Sequence, residues 1–302
     1  MKNLKLAAVC LSCLTMTGCS ALNFSVEGLI NAPKLTSEQS EIHQALIESV
    51  GSNITLKYPK NGEYRSAYVI ANIDDEPTDE AMVFYEYTSN GSEEDGLRVN
   101  ILDKDEDGKW YSVKELAGAG TDIDQVIISP MGSNNQTDVF VGYQNLTNDE
   151  KTMEIYSYTD GDFKRVALDT YSVLEPLDIN NDGYIELITI QRSTNNDTGA
   201  VTAKASMLNM KNNEITRGEN VDMCDNVTSY VSSKTGMLDS GRRAIFIDGL
   251  TADGKLQTEI IYYRYSGLQN PMQLRSEKLL PLCTRPAGYY SEDMDGDGDV
   301  EI

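Results

Sequence analysis

An acidic pattern of nine residues occurs twice in this chain in almost the same form. Asp178, Asn180, Asp182 and Glu186, with Gly183 among them, are matched by Asp293, Asp295, Asp297 and Glu301, with Gly298. Oxygen side chains at the first, third, fifth and ninth places, with glycine at the sixth, suit one hard cation. Ca2+ takes six to eight oxygen ligands, and glycine admits the sharp turn. The seventh residue, Tyr184 or Asp299, would add its backbone carbonyl. Both loops therefore read as Ca2+ sites, against the competing reading of an Asn/Asp-rich turn that bonds its own backbone. The Asp178 copy also leads straight into the apolar run Leu187 to Ile190, so the pattern bears on the fold as well as the chemistry.

The same arrangement of apolar run, polar loop and second apolar run recurs along the chain. Tyr68 to Ile70, a loop from Asn72 to Glu80, and Ala81 to Tyr85 form one unit. Val126 to Ile128, a degenerate loop ending at Asp138, and Val139 to Val141 form a second. The third holds the Asp178 loop. A fourth, weak copy runs from Tyr230 and Val231 through a loop with Asp239 and Gly241 to Ala244–Ile247. The fifth is the Asp293 loop. Loop starts near 72, 130, 178, 235 and 293 give a period of roughly 50 to 58 residues, as expected for propeller blades. Between them, Asp107-Gly108, Asp160-Gly161 and Asp253-Gly254 separate alternating apolar runs, a strong cue for tight hairpins. A strand pair around each polar loop plus one hairpin makes about four strands per unit, the content of one β-propeller blade.

On these residues the chain resembles the FG-GAP or VCBS-type repeat, which is found in the integrin α-subunit propeller and in many secreted bacterial proteins. The resemblance spans most of residues 60–302, with specific motifs in two units. It implies an all-β propeller with Ca2+ in its loops, mediating adhesion or ligand binding. The whole layout is also similar to uncharacterised clostridial lipoproteins. The chain stops at Ile302, directly after Glu301 and before the strand that normally follows, so the last blade reads as truncated.

The start of the chain reads as a targeting segment. Lys2 and Lys5 precede an apolar stretch from Leu6 to Leu14, and Met16-Thr17-Gly18-Cys19 resembles the bacterial lipobox, whose cysteine becomes the lipidated first residue. Residues 1–18 are then a lipoprotein signal peptide, 19–35 a tether, 36–51 a helix, and 52–302 the propeller. Thr36 and Gln39 have capping-box spacing, Ile42, Leu46 and Val50 share a helical face, and Gly51 supplies the stop. Removing the signal takes away Lys2 and Lys5, so the net charge of −23 becomes −25. Such acidity excludes nucleic acid as a partner and argues against adsorption to an anionic membrane surface. Attachment would rest on the lipid at Cys19, on the extracytoplasmic face of the cell membrane. Export permits a Cys224–Cys283 disulfide, with two buried thiols as the alternative.

Other candidate sites are weaker. Asn72, Asp74, Glu76 and Glu80 keep the oxygen spacing, but Pro77 stands where glycine belongs and cannot take the left-handed backbone. Asp103, Asp105, Asp107 and Gly108 begin like a Ca2+ loop, yet Tyr111 replaces the closing carboxylate and a hairpin turn belongs there. The sole histidine, His43, falls on the N-terminal helix far from the acidic loops and reads as a packed or surface residue. Tyr156, Tyr158, Tyr262, Tyr263 and Tyr265 read as packing between sheets, with a glycan-binding face as the alternative. The expectation is therefore a non-enzymatic, lipid-anchored surface binding or scaffold protein with a glycan or protein ligand. The alternative is a carbohydrate-active hydrolase or lyase using Asp and Glu at the propeller's centre.

Overall fold

The computed structural model describes residues 35–88, 96–131, 137–145, 150–211, 214–218, 220–225, 227–239, 242–265 and 267–275, with 294, 296 and 300. The chain divides into two compact units at Glu41/Ile42. Of the first, the described part is the opening turn of helix α1, Ser37–Val50. There Gln39 N–H donates to Thr36 Oγ1 at 3.1 Å and Thr36 N–H donates to Gln39 Oε1 at 3.1 Å, the reciprocal capping box that the spacing predicts.

The second unit is all β after the remainder of that helix. Its strands form four antiparallel sheets in chain order. The first contains β1 (Ile54–Leu56), β2 (Tyr68–Ala71), β3 (Glu80–Tyr87), β4 (Leu97–Lys104) and β5 (Trp110–Ala117), with β1 and β2 both pairing with β3. The second is β6 (Asp122–Ser129), β7 (Asp138–Gln144), β8 (Lys151–Thr159) and β9 (Asp162–Tyr171). The third is β10 (Val173–Leu177), β11 (Glu186–Thr194), β12 (Val201–Lys211) and β13 (Glu214–Arg217), with β14 (Val221–Asp222) also on β12. The fourth is β15 (Val227–Asp239), β16 (Arg242–Thr251), β17 (Leu256–Arg264) and β18 (Gly267–Arg275). The three Asp-Gly hairpins form where the sequence places them. At the second, Asp160 and Gly161 both take positive φ, 54° and 77°, the twist that two-residue hairpins require.

Consecutive sheets share cores. Phe84 and Val99 of the first pack with Val126 and Val141 of the second. Phe140 and Tyr171 of the second meet Leu187 and Leu208 of the third, and Ile188 and Ala205 of the third meet Ile245 and Ile261 of the fourth. Inner strands such as β3 are buried on both faces, which is why they read as continuous apolar runs rather than alternating ones. On the outer side of the first sheet, Ile42 and Leu46 of α1 pack with Tyr85 and Trp110. Burial of apolar side chains of this size contributes about 1.5–3 kcal/mol each.

One expectation needs correction. The fourth polar loop does not exist as predicted: β15 continues as strand through Thr235 to Asp239, which pairs with Arg242. The first four units each appear as a sheet, and the fifth, the Asp293 loop, lies almost wholly outside the described residues. His43 takes the packed reading, sharing a 2.8 Å hydrogen bond through Nδ1 with the Tyr68 hydroxyl, which burial pushes up to about 12. Among the described residues no helix is long and apolar enough to cross a membrane.

Candidate functional site

Three of the polar loops are built alike. Each joins the first and second strands of its unit, and its last residue pairs across the ladder with the residue that precedes it: Ala71 with Glu80, Ser129 with Asp138, Leu177 with Glu186. The closing carboxylate turns inward in every case. Glu80 is 1% exposed, Asp138 1% and Glu186 3%. Each accepts the backbone N–H of the residue seven places earlier, at 2.8 Å from Ile73, 3.3 Å from Met131 and 3.1 Å from Ile179. Burial pushes Glu80 and Glu186 up to about 7, against the N–H bonds, which favour the charged form. Asp138 shows that the motif persists where the other acids are lost.

The Asp178 loop holds the oxygen set that the sequence singles out. The Asp178 carboxylate accepts N–H from Asp182 at 3.0 Å and from Gly183 at 3.3 Å, and lies 3.1 Å from Arg243 Nη1. Asn180 Oδ1 accepts Asp182 N–H at 2.8 Å, and Asp182 Oδ1 accepts Tyr184 N–H at 3.0 Å. Asn180 Nδ2 donates to Glu186 at 2.6 Å. After burial, the charges of Asp182 and Asp178 are what raise Glu186, a repulsion that a cation would relieve. The donors are all oxygen and so fit Ca2+ in kind. As placed, they turn to their own backbone N–H groups and to Arg243, and among the described residues no three His, Cys, Asp or Glu side chains form a group that could hold a metal. In the weaker loop, Asp74 accepts Glu76 N–H at 2.8 Å and Asn72 Nδ2 donates to the Glu76 carbonyl at 2.5 Å, a self-bonded turn. Asp105 likewise closes the 103–108 segment as a turn, accepting N–H from Asp107 and Lys109.

A second site emerges only in three dimensions. β6, β10 and β15 each stand first in their sheets, so each has one side without a strand partner among the described residues. These edges, with segment 61–64, line a pocket of about 590 Å3. Lys60 and Asn61 bond β6 at Ile123 and Asp124, and the edge beyond faces the pocket. Pro176 sits on β10, an edge strand of its sheet, where proline is tolerated. Two of the lining strands carry bulges. Asp124 is the extra residue between Ile123 and Gln125 of β6, and Val231 the extra residue between Tyr230 and Ser232 of β15. Bulges re-aim side chains and concentrate beside active sites.

The Asp124 bulge organises the pocket's charges. Its carboxylate, 1% exposed, accepts Asn61 Nδ2 at 2.8 Å, Lys151 Nζ at 2.8 Å and the Tyr171 hydroxyl at 2.6 Å. Gly142, across the ladder from Gln125, leaves room for that hydroxyl: a Cβ there would overlap it. Glu175, on β10, accepts the Ser233 hydroxyl from β15. Burial raises the Glu175 carboxyl, and Ser233 and the Lys151 charge partly offset the rise. The Tyr230 hydroxyl is buried without a hydrogen-bond partner among the described residues, and burial together with the Glu259 charge raises it. A carboxyl raised toward neutrality inside a polar pocket is suited to proton transfer.

Glu175, Asp124, Lys151 and Ser233 were not singled out by the sequence. The signal was a charge inside an apolar strand, Glu175 between Leu174 and Pro176 and Asp124 after Ile123, hidden among 48 Asp and Glu residues. Asp293, Asp295, Asp297, Asp299, Glu301, Cys19 and Cys283 lie outside the described residues. Val300, inside the second loop, donates its N–H to the Met237 carbonyl at 3.4 Å. Cys224 donates its N–H to Glu259 at 2.8 Å. Tyr156 and Tyr262 are buried in cores and Tyr265 is 81% exposed, so the tyrosines form no common face.

No protein-family model matches the chain, and no curated protein matches it. Among solved structures it is similar to a rhamnogalacturonan lyase, with 10% identity, a TM-score of 0.40, and coverage of 82% of this chain and 58% of that one. The rhamnogalacturonan lyase of Bacillus licheniformis gives 9% identity, the same TM-score of 0.40 and the same coverage, 82% and 58%. A periplasmic gluconolactonase of Pseudomonas aeruginosa gives 11% identity and a TM-score of 0.26 over 75% of this chain and 77% of that one. The chain thus spans less than two thirds of either lyase's length. All three structures are of enzymes, where the sequence reading expects a non-enzymatic protein, and likeness this slight assigns neither an activity nor a reaction to this chain.

Proposed function

We propose that this chain is a carbohydrate-active protein, a hydrolase or lyase, acting at the pocket between β6, β10 and β15. The four sheets are taken as blades of a propeller whose axis is that pocket. One observation carries the reading: a half-buried, raised carboxyl, Glu175, stands among three open strand edges. Open edges present alternating N–H and C=O groups, which match a polyhydroxylated ligand, and the volume falls within the range of small-ligand sites. Glu175 would transfer the proton, with Asp124 holding Lys151 beside it. The protein is further proposed to be anchored by lipid on Cys19 at the outer face of the membrane. Ca2+ is proposed to bind through Asp178, Asn180, Asp182 and Glu186, fixing the loop that joins β10 to β11.

The test is turnover of a panel of cell-wall and dietary polysaccharides, read by reducing-end release and by ultraviolet absorbance of an unsaturated product. Glu175→Gln should lower the rate at least about 100-fold, as expected for loss of a proton-transfer group. A folded wild-type protein that turns over nothing, or a variant of undiminished rate, would overturn the proposal.

A further inference from the structure

The pocket's fourth side supplies a second participant in the reaction, an inference that rests on the carbohydrate reading above. β1 and β2 pair with separate stretches of β3, and residues 57–67 between them leave the sheet. Both ends of this excursion are pinned at one residue. Lys57 N–H donates to the Phe84 carbonyl at 2.8 Å, and Phe84 N–H donates to the Ala67 carbonyl at 3.0 Å. Surface loops with their ends this close are compact and frequently functional. The tip crosses to the second sheet, where Asn61 N–H donates to the Asp124 carbonyl at 2.7 Å and Lys60 Nζ pairs with Asp122 at 2.8 Å. Gly62, at φ 78°, then lies so near β6 that a Cβ would come within 3.3 Å of the Gln125 Cβ. The next residue, Glu63, is thereby held in the pocket lining.

Glu63 and Glu175 are the two carboxylates among the described lining residues, and they reach the pocket from different elements, the loop and β10. Their surroundings differ. Glu175 is half-buried, and burial raises its carboxyl. Glu63 is exposed and makes no hydrogen bond or ion pair among the described residues. Two carboxyls in contrasting surroundings divide into acid and base. Hydrolysis of a glycosidic bond uses such a pair, one at the leaving oxygen and one at water. Elimination asks instead for a cation free to stabilise the charge that develops on a uronate. Lys151, the one cation among the described lining residues, is held by Asp124 at 2.8 Å. We propose that the pocket is that of a glycoside hydrolase, with Glu63 as general base and Glu175 as general acid. Glu63 takes a proton from water as the water oxygen bonds to the anomeric carbon. The bond from that carbon to the leaving oxygen breaks, and Glu175 gives that oxygen its proton. One water is consumed, and exchange with solvent resets both carboxyls.

The experiment repeats the polysaccharide panel in water labelled with heavy oxygen and reads the products by mass spectrometry. Hydrolysis places one labelled oxygen on each new reducing end, whereas elimination gives an unsaturated product without the label. On the polysaccharide turned over, Glu63→Ala should lower kcat/KM at least about 100-fold, and added azide, a nucleophile that needs no base, should restore it at least about tenfold. Loss of the base should also remove the fall of activity at low pH, and Glu175→Gln the fall at high pH, changes that a merely structural loss would not produce. Glu106→Gln on the remote β4–β5 turn should leave both rate and profile unchanged. A product without the label would overturn the hydrolase assignment while leaving the carbohydrate site intact. A Glu63→Ala variant of undiminished rate, or a loss that azide does not restore, would overturn the role of Glu63. Failure of the folded wild type to turn over any member of the panel would overturn the carbohydrate reading, and this inference with it.

Discussion

Gly142 is the most sensitive test of how the pocket is supported. Alanine at an interior strand position ordinarily stabilises relative to glycine, because glycine loses more conformational freedom and packs nothing. Here a Cβ would overlap the Tyr171 hydroxyl and come within 3.3 Å of both the Tyr171 Cζ and the Phe140 ring. The ring must move, at a cost of about 1–3 kcal/mol for overpacking. Its hydrogen bond to the charged Asp124 is then lost, for about 1.5–3 kcal/mol more. Gly142→Ala should therefore destabilise by about 4 kcal/mol, and Tyr171→Phe, which loses only the bond, by about 2. In the double variant the overlap is largely relieved, so the total should be about 3 kcal/mol rather than the additive 6, a coupling of about 3. Urea unfolding at constant m-value reads all three. A Gly142→Ala variant of unchanged stability, or strict additivity in the double variant, would refute the close approach of Gly142 to Tyr171.

Lys151→Met should cost about 3–5 kcal/mol by leaving Asp124 buried without its cation, and adding Asp124→Asn should recover part of it in the same unfolding assay. Glu186 has a folded pKa raised from 4.5 to about 7, so its contribution to stability is fully present below about pH 4.5 and is lost as pH rises through about 7. In chelator, stability should fall by about 3 kcal/mol across that window from this group, and Glu186→Gln should flatten the fall, leaving the share due to Glu80. Identical slopes for the two proteins would contradict the burial argument. If Ca2+ occupies the Asp178 loop, millimolar Ca2+ should raise the melting temperature, a ligand at about 100 times its Kd adding about 2.7 kcal/mol. Asp182→Ala should lower the melting temperature in Ca2+ and hardly alter it in EDTA, whereas equal losses in both buffers would count against the cation.

Much of the local structure was legible because its determinants are local. The Thr36–Gln39 cap and the Asp-Gly hairpins each depend on residues within one turn, and both form as their spacing predicts; the loop ending at Glu186 joins two strands where the sequence places it. Asp138 shows where pattern matching weakens: its loop lost the other acids, yet the carboxylate keeps the structural bond to Met131. The fourth loop misled because Asp239 and Gly241 look like turn residues, while ladder pairing with β16 keeps Thr235 to Asp239 extended. The pocket was not legible. It is assembled from Asp124, Lys151, Glu175 and Ser233, which lie on four strands and reach one another only through sheet packing and a bulge that sequence alternation does not announce.

The central claim is that the open edges of β6, β10 and β15 bind carbohydrate around Glu175. Backbone hydrogen exchange, compared with and without a mixture of cell-wall and dietary oligosaccharides, tests it most directly. The account predicts added protection at residues 125–128, 173–176 and 230–233, absent in Glu175→Gln. Protection confined to the 178–186 loop or to the outer strands β5, β9 and β18, with those three segments unchanged, would contradict it.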